Sequence, residues 1–195
     1  MTSIENKTET ETSIEPAAKV APIGARRGVR PRQQAPELTV RLTDGTTWRF
    51  ADVLPRSFTM VVFYRGSHCP VCRAQLSELN RRLDELAERG VDVIAISGDS
   101  EEVAGKTVVE WRLDRLQVGY GLDEDTMRRW GLFVSAGHDG EPALFNEPGL
   151  FLIDPDGAVY YEALNSMPWG RPRLDDIVNG IDFVVKANYP ARGEA

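Results

Sequence analysis

Apolar residues along most of the chain fall into short runs whose period shifts between two and about 3.6. Leu38, Val40 and Leu42 alternate with polar neighbours, Asp44-Gly45 is a turn signal, and Thr46 to Phe50 returns to β-forming residues. A hairpin is expected there. Thr59-Met-Val-Val-Phe-Tyr64 is a continuous apolar run, suited to a central strand covered on both faces. Cys72, Leu76, Leu79, Leu83 and Leu86 then recur at helical spacing, and Gly90 supplies the stop. Val91 to Ile96 reads as a second buried strand. Ser100 offers a helix N-cap ahead of Val103, Thr107 and Trp111. Leu116 to Tyr120 reads as a short strand, and Asp123 to Trp130 as a short helix closed by Gly131.

The last third predicts a strand over Leu150–Ile153, a tight turn at Asp154-Pro-Asp-Gly157, and an antiparallel return over Ala158–Leu164. A final helix carries Leu174, Ile177, Val178, Ile181, Val184 and Val185 on one stripe, and Pro190 closes it. The order ββ-β-α-β-α-β-α-β-β-α is that of an α/β domain with parallel central strands and a hairpin at one side. Residues 1–35 carry few large apolar residues and cannot offset their ordering entropy, so they are expected to form a disordered arm. Arg26, Arg27, Arg30 and Arg32 give its second half a basic character suited to an anionic partner or to plain solvation. The domain is expected over 36–190, with a tail at 191–195.

The chain has 195 residues, with 23 Lys and Arg against 30 Asp and Glu, a net charge of −7. That balance argues against a nucleic-acid partner. No apolar run approaches the ~18 residues of a membrane span, and the first residues, rich in Thr and Glu, lack a secretory apolar segment. A cytoplasmic location is expected. The chain has two cysteines, Cys69 and Cys72, too few for a disulfide framework and placed together, which suggests chemistry.

Their setting is Val61-Val-Phe-Tyr-Arg-Gly-Ser-His-Cys-Pro-Val-Cys72: a buried strand, a Gly-containing loop, then C-x-x-C opening a helix. Cys69 falls where free backbone N–H groups and the helix dipole favour an anion, and such positions depress a thiol pKa. Pro70 suits the first helical position. Cys72, nearly one turn on, can reach back to Cys69, so attack by one sulfur and resolution by the other is the natural use. Two other readings compete. The pair could be small core residues. It could also join His68 and His138 around zinc, although the histidines lack finger or ribbon spacing.

Residues Pro36 to Pro190 resemble the thioredoxin-fold alkyl hydroperoxide reductase/thiol-specific antioxidant family, the peroxiredoxins and their C-x-x-C-bearing relatives. The resemblance rests on Phe63-Tyr-Arg-Gly to Cys72, on Gly149-Leu-Phe-Leu-Ile-Asp154 with Gly157, and on Gly170-Arg171 leading into the last helix. It implies a thioredoxin-like α/β fold: a central mixed sheet flanked by helices, with an N-terminal hairpin. The family's peroxidase motif, P-x-x-x-T-x-x-C, puts Cys72 at the attacking cysteine, Cys69 at the threonine and Arg65 at the proline. The family's arginine ahead of the G-L-F-L-I-D strand is replaced by Pro148, so Arg65 or Arg171 would have to serve. In thioredoxins a cis-proline opens the corresponding strand and faces the cysteines, and Glu147-Pro148-Gly149-Leu150 fits that position.

The resemblance therefore implies redox chemistry of one of two kinds. As a thiol–disulfide oxidoreductase, Cys69 would be the exposed nucleophile and Cys72 the more buried resolving thiol. As a peroxidase, Cys72 would attack a hydroperoxide and Cys69 would resolve. Both need an external thiol reductant, and neither needs a metal or organic cofactor. A redox-sensing or non-catalytic binding domain on the same fold is the third possibility, and the family resemblance allows a homodimer. His68 is a candidate thiolate partner or proton shuttle. Trp130 and Trp169 suit packing, a site rim or an interface, Asp154 and Asp156 are turn residues, and Ser135 to Glu141 reads as a mobile loop with His138 solvated in it.

Overall fold

The computed structural model of the chain describes residues 28–193. A seven-stranded sheet runs in the order β2-β1-β5-β4-β3-β8-β9, built from β1 (Thr39–Leu42), β2 (Thr47–Arg49), β3 (Phe58–Phe63), β4 (Val91–Ile96), β5 (Gln117–Tyr120), β8 (Gly149–Ile153) and β9 (Val159–Leu164). Strands β3, β4 and β5 are parallel, as the central apolar runs predict, while β8 runs antiparallel to β3. Helices α1 (Pro70–Arg81), α2 (Leu83–Glu88), α3 (Glu101–Trp111), α4 (Glu124–Arg129) and α5 (Leu174–Ala187) complete the frame. Two short strands, β6 (Val134–Ala136) and β7 (Leu144–Asn146), form a separate hairpin.

Period-two alternation divides the core between the two sheet faces. Phe58, Met60, Val62 and Tyr64 pack on one side with Leu76 and Leu79 of α1, Leu86 of α2 and Ile177 and Ile181 of α5. Val61 and Phe63 point to the other side, toward Trp130, Phe151 and the β1 residues Val40 and Leu42. Trp130 is fully buried there, its ring against Phe63 and Phe151, so packing is its role. Both cysteines belong to the first cluster.

Three expectations need correction. The helix expected to run through Leu86 breaks at Arg82, which leaves helical geometry at φ −109°, ψ 15°. The Arg82 side chain there meets Glu85 at 2.6 Å and Asp175 of α5 at 2.7 Å. The segment Ser135–Glu141, read as a loop, begins in the β6–β7 hairpin, whose three-residue strands are too short to show alternation. The packed chain also starts before Pro36. Val29 is buried, and Arg32 N–H donates to the Val159 carbonyl while Val159 N–H donates to Gln33. Backbone pairing along β9, together with the buried Val29, holds this stretch. The arm expectation for residues 1–27, with Arg26 and Arg27, lies outside the described residues.

Asn80, buried at the end of α1, ties that helix to the chain leading into β5. Its amide donates to the Arg112 carbonyl and Asp114, and its oxygen accepts from the N–H groups of Arg115 and Leu116 at 3.0 and 2.9 Å. Asn80→Ala strands two backbone donors and should cost about 2–3 kcal/mol. Urea denaturation checks this: the midpoint falls while the slope stays constant.

Candidate active site

The site forms where β3 ends and α1 begins. Phe63 pairs with Gly149, so the cysteine loop and the chain entering β8 leave from the same end of the sheet. The loop turns at Gly66, where φ is +129° and an added Cβ would stand 2.7 Å from Asp99 Oδ1. Asp99, just after β4, accepts the Ser67 N–H at 2.9 Å and so fixes the loop from the neighbouring strand. Sequence reading passed over Asp99. The available signal was an acidic residue directly after a buried strand, ending beside the C-x-x-C loop.

Cys69 is the N-cap of α1 and Pro70 its first residue, as the sequence implied. The Cys69 sulfur accepts the Cys72 N–H at 3.2 Å. Arg171, ahead of α5, extends Nη2 to within 3.1 Å of the Cys72 sulfur and 3.7 Å of the Cys69 sulfur. Its Nη1 donates to Gln75 Oε1, which fixes the guanidinium plane from α1. Both thiols are free, and both residues are fully buried. The expectation of an exposed Cys69 is therefore corrected: the helix mouth is roofed over.

The two sulfurs are driven in opposite directions. Hydrogen bonding from the Cys72 thiol, its N–H and the Arg171 charge hold Cys69 below the usual thiol range, against the cost of burial. Burial first, and then its hydrogen bond to Cys69, push Cys72 up, so that thiol keeps its proton. A sulfur whose ionisation is favoured beside one whose ionisation is opposed is an arrangement able to attack, then resolve.

The remaining expected residues divide by position. Arg65 lies over the Phe145 ring at 4.6 Å and pairs with Glu141 at 2.9 Å and Glu147 at 3.1 Å. Against the cost of burial, the charges of Glu147, Cys69 and Glu141 raise its pKa. His68 packs edge-on against Phe145, 4.8 Å between centroids. Burial, then the Arg65 charge, lower its pKa, so the imidazole is neutral near pH 7 rather than a cationic thiolate partner. Pro148 is buried and follows a trans peptide, which corrects the cis expectation. Trp169 is 64% exposed and, with Val71, Leu150 and Arg171, lines a cavity of about 460 Å³ beside α1. Glu147, Glu141 and Gln75 were missed because ion-pair and amide partners far apart in sequence leave no periodic signal. Among the described residues, no group of three or more His, Cys, Asp or Glu is placed to hold a metal ion.

Residues 31–162 match the model of the AhpC/TSA family. The chain belongs to that family. A 2-cysteine peroxiredoxin, chloroplastic, of Chattonella marina var. antiqua is 25% identical over 153 residues, covering 73% of this chain and 74% of its own. Alkyl hydroperoxide reductase C of Staphylococcus haemolyticus is 29% identical over 122 residues, 62% of each chain. The crystal structure of a peroxiredoxin-like protein from Aquifex aeolicus superimposes with a TM-score of 0.65 at 19% identity, covering 80% of this chain and 87% of its own. This AhpC/TSA chain is an oxidoreductase working through thiol chemistry. No helix among its described residues is long and apolar enough to cross a membrane.

Arg171→Gln removes a cation from both sulfurs, so the pKa of Cys69 rises and its thiolate fraction at fixed pH falls. Each unit of rise lowers the thiolate fraction, and with it the alkylation rate, about tenfold at pH values below the midpoint. A pH series of iodoacetamide labelling, with the site read by fragment-ion mass spectrometry, checks the direction.

Proposed function

We propose that Cys69 is the nucleophile and Cys72 the resolving thiol of a dithiol cycle whose oxidising substrate is a hydroperoxide. The observation that carries this reading is the N-cap position of the Cys69 sulfur, which accepts the Cys72 N–H at 3.2 Å, while burial and the hydrogen bond to Cys69 push the Cys72 thiol up. Complete burial of both thiols favours a small oxidant over a folded protein disulfide. The names of the relatives, peroxiredoxin and alkyl hydroperoxide reductase C, supply the substrate class.

In the first step the Cys69 thiolate attacks the terminal peroxide oxygen. An S–O bond forms, the O–O bond breaks, and the departing alkoxide takes a proton to leave as alcohol or water. Arg171, in reach of both sulfurs, supports the thiolate and the charge building on the departing oxygen. Cys72 then attacks the sulfenic sulfur. Its proton joins the leaving hydroxide, giving water and a Cys69–Cys72 disulfide. An external thiol restores both thiols by thiol–disulfide exchange. The cytoplasm, a reducing compartment, suits that half of the cycle. Both sulfurs and both arginines come from one chain, so the cycle does not require a homodimer.

Direct reduction of disulfide substrates is the second reading, favoured by the N-cap position and low pKa of Cys69. The trans, buried Pro148 removes the backbone dock that a thioredoxin-like site would offer.

With dithiothreitol as reductant, Cys69→Ser should abolish peroxide consumption. Cys72→Ser should still consume one equivalent of peroxide and leave a sulfenic acid on Cys69 that dimedone traps. The reverse pattern would exchange the two roles. Insulin reduction faster than peroxide reduction, lost in Cys69→Ser, would favour the second reading.

A further inference from the structure

We infer that the cleft between α1 and the segment 168–173 is the subsite for the organic group of the substrate, with Trp169 as its specificity-determining residue. The inference rests on the hydroperoxide reading. It adds which side of the cysteines the body of a substrate occupies and what that body packs against.

The cleft has a volume of about 460 Å³. Its floor belongs to the core: Leu79, Leu150 and Ile177 are buried in the same cluster as both cysteines. Val71, 40% exposed, lines it from its place between Cys69 and Cys72, and Trp169 lines it from the facing segment. A tryptophan left 64% exposed keeps a large apolar surface in water. The backbone carrying it is pinned. Asn165 Nδ2 donates to the Gly170 carbonyl at 3.0 Å, and Asn165 N–H donates to the Pro148 carbonyl at 3.0 Å. Pro168 and Pro172 restrict the chain on either side.

One residue joins the cleft to the chemistry. Arg171 lines it and also reaches the Cys72 sulfur at 3.1 Å and the Cys69 sulfur at 3.7 Å. Its Nε is buried without a hydrogen-bond partner among the described residues, so the guanidinium has one donor still to place. An organic hydroperoxide has a polar end suited to that guanidinium and an apolar end suited to the leucine, isoleucine and tryptophan walls. An apolar cavity of about 150 Å³ holds benzene, so this cleft admits an aryl or branched alkyl group with room to spare. Hydrogen peroxide carries no such group and gains nothing from these walls. The volume lies in the range of small-molecule pockets, about 300–1,000 Å³, which favours a compact organic body over a segment of a protein reductant.

The test compares single turnovers of the pre-reduced full chain with cumene hydroperoxide and with hydrogen peroxide, read as loss of hydroperoxide. Trp169→Ala should lower the ratio of the two rate constants about tenfold, the loss expected when a bound ring is uncovered. Trp169→Phe should restore most of it. An unchanged ratio, or an equal fall with both oxidants, overturns the inference. So does a change seen only in continuous turnover with dithiothreitol, which would assign the cleft to the reducing step. Binding of 2-phenyl-2-propanol, the alcohol left by cumene hydroperoxide, gives a reading without turnover. It should saturably shift the Trp169 indole N–H resonance, identified by its absence in Trp169→Phe, and absence of a saturable shift overturns the subsite. If the wild-type chain consumes neither hydroperoxide, the hydroperoxide reading fails and this shift alone decides the cleft.

Discussion

The rest of the site depends on one contact, the Cys72 N–H donated to the Cys69 sulfur across the first turn of α1. A helix begins with backbone donors that no preceding carbonyl can satisfy, and a residue just before it normally supplies an oxygen. Here the cap atom is sulfur. The requirement that makes the helix start also makes the cap atom an anion acceptor site, so folding and reactivity draw on the same donor. Pro70 leaves the turn without a competing N–H at its first position.

Burial sets the difference between the two thiols. Each loses water, which raises the cost of ionisation. Cys69 recovers that cost from donors arranged around it, whereas Cys72 gives up its own proton's hydrogen bond to Cys69 and remains neutral. Two sulfurs three residues apart thus become unlike without any difference in side-chain chemistry. The roof over them selects for a small oxidant, and the cavity beside Trp169 and Arg171 brings open space close to the guanidinium that touches both sulfurs.

How much of this was legible follows the range of each interaction. The central strands were readable because Val61 and Phe63 alternate with Met60 and Val62 between two cores, and such alternation is local. The cap was readable because Cys69, Pro70 and Cys72 are adjacent. Arg65 and Arg171 emerged from the resemblance, since a missing arginine at 148 demands a substitute. Glu147, Gln75 and Asp99 did not. Each acts across tens of residues of sequence through a single polar contact, and one contact leaves no period. Arg32 and Gln33 were misjudged for a related reason: backbone pairing to β9 does not depend on side-chain type. The exposure of Cys69 was misread because the β6–β7 hairpin that helps enclose its loop is only three residues deep on each side.

The two arginines near the thiols are not equivalent, and their partners explain why. Arg171 is oriented by Gln75, a neutral amide, so its full charge remains for the sulfurs. Arg65 is held by two carboxylates, so that cluster carries net negative charge and its effect on Cys69 depends on direction and distance. Through-space attraction suffices for the first arginine and geometry governs the second. Arg171 accordingly adds its charge to the hydrogen bonds from Cys72 that hold Cys69 low. Both carboxylate partners of Arg65 sit on the β6–β7 hairpin segment rather than in the sheet core.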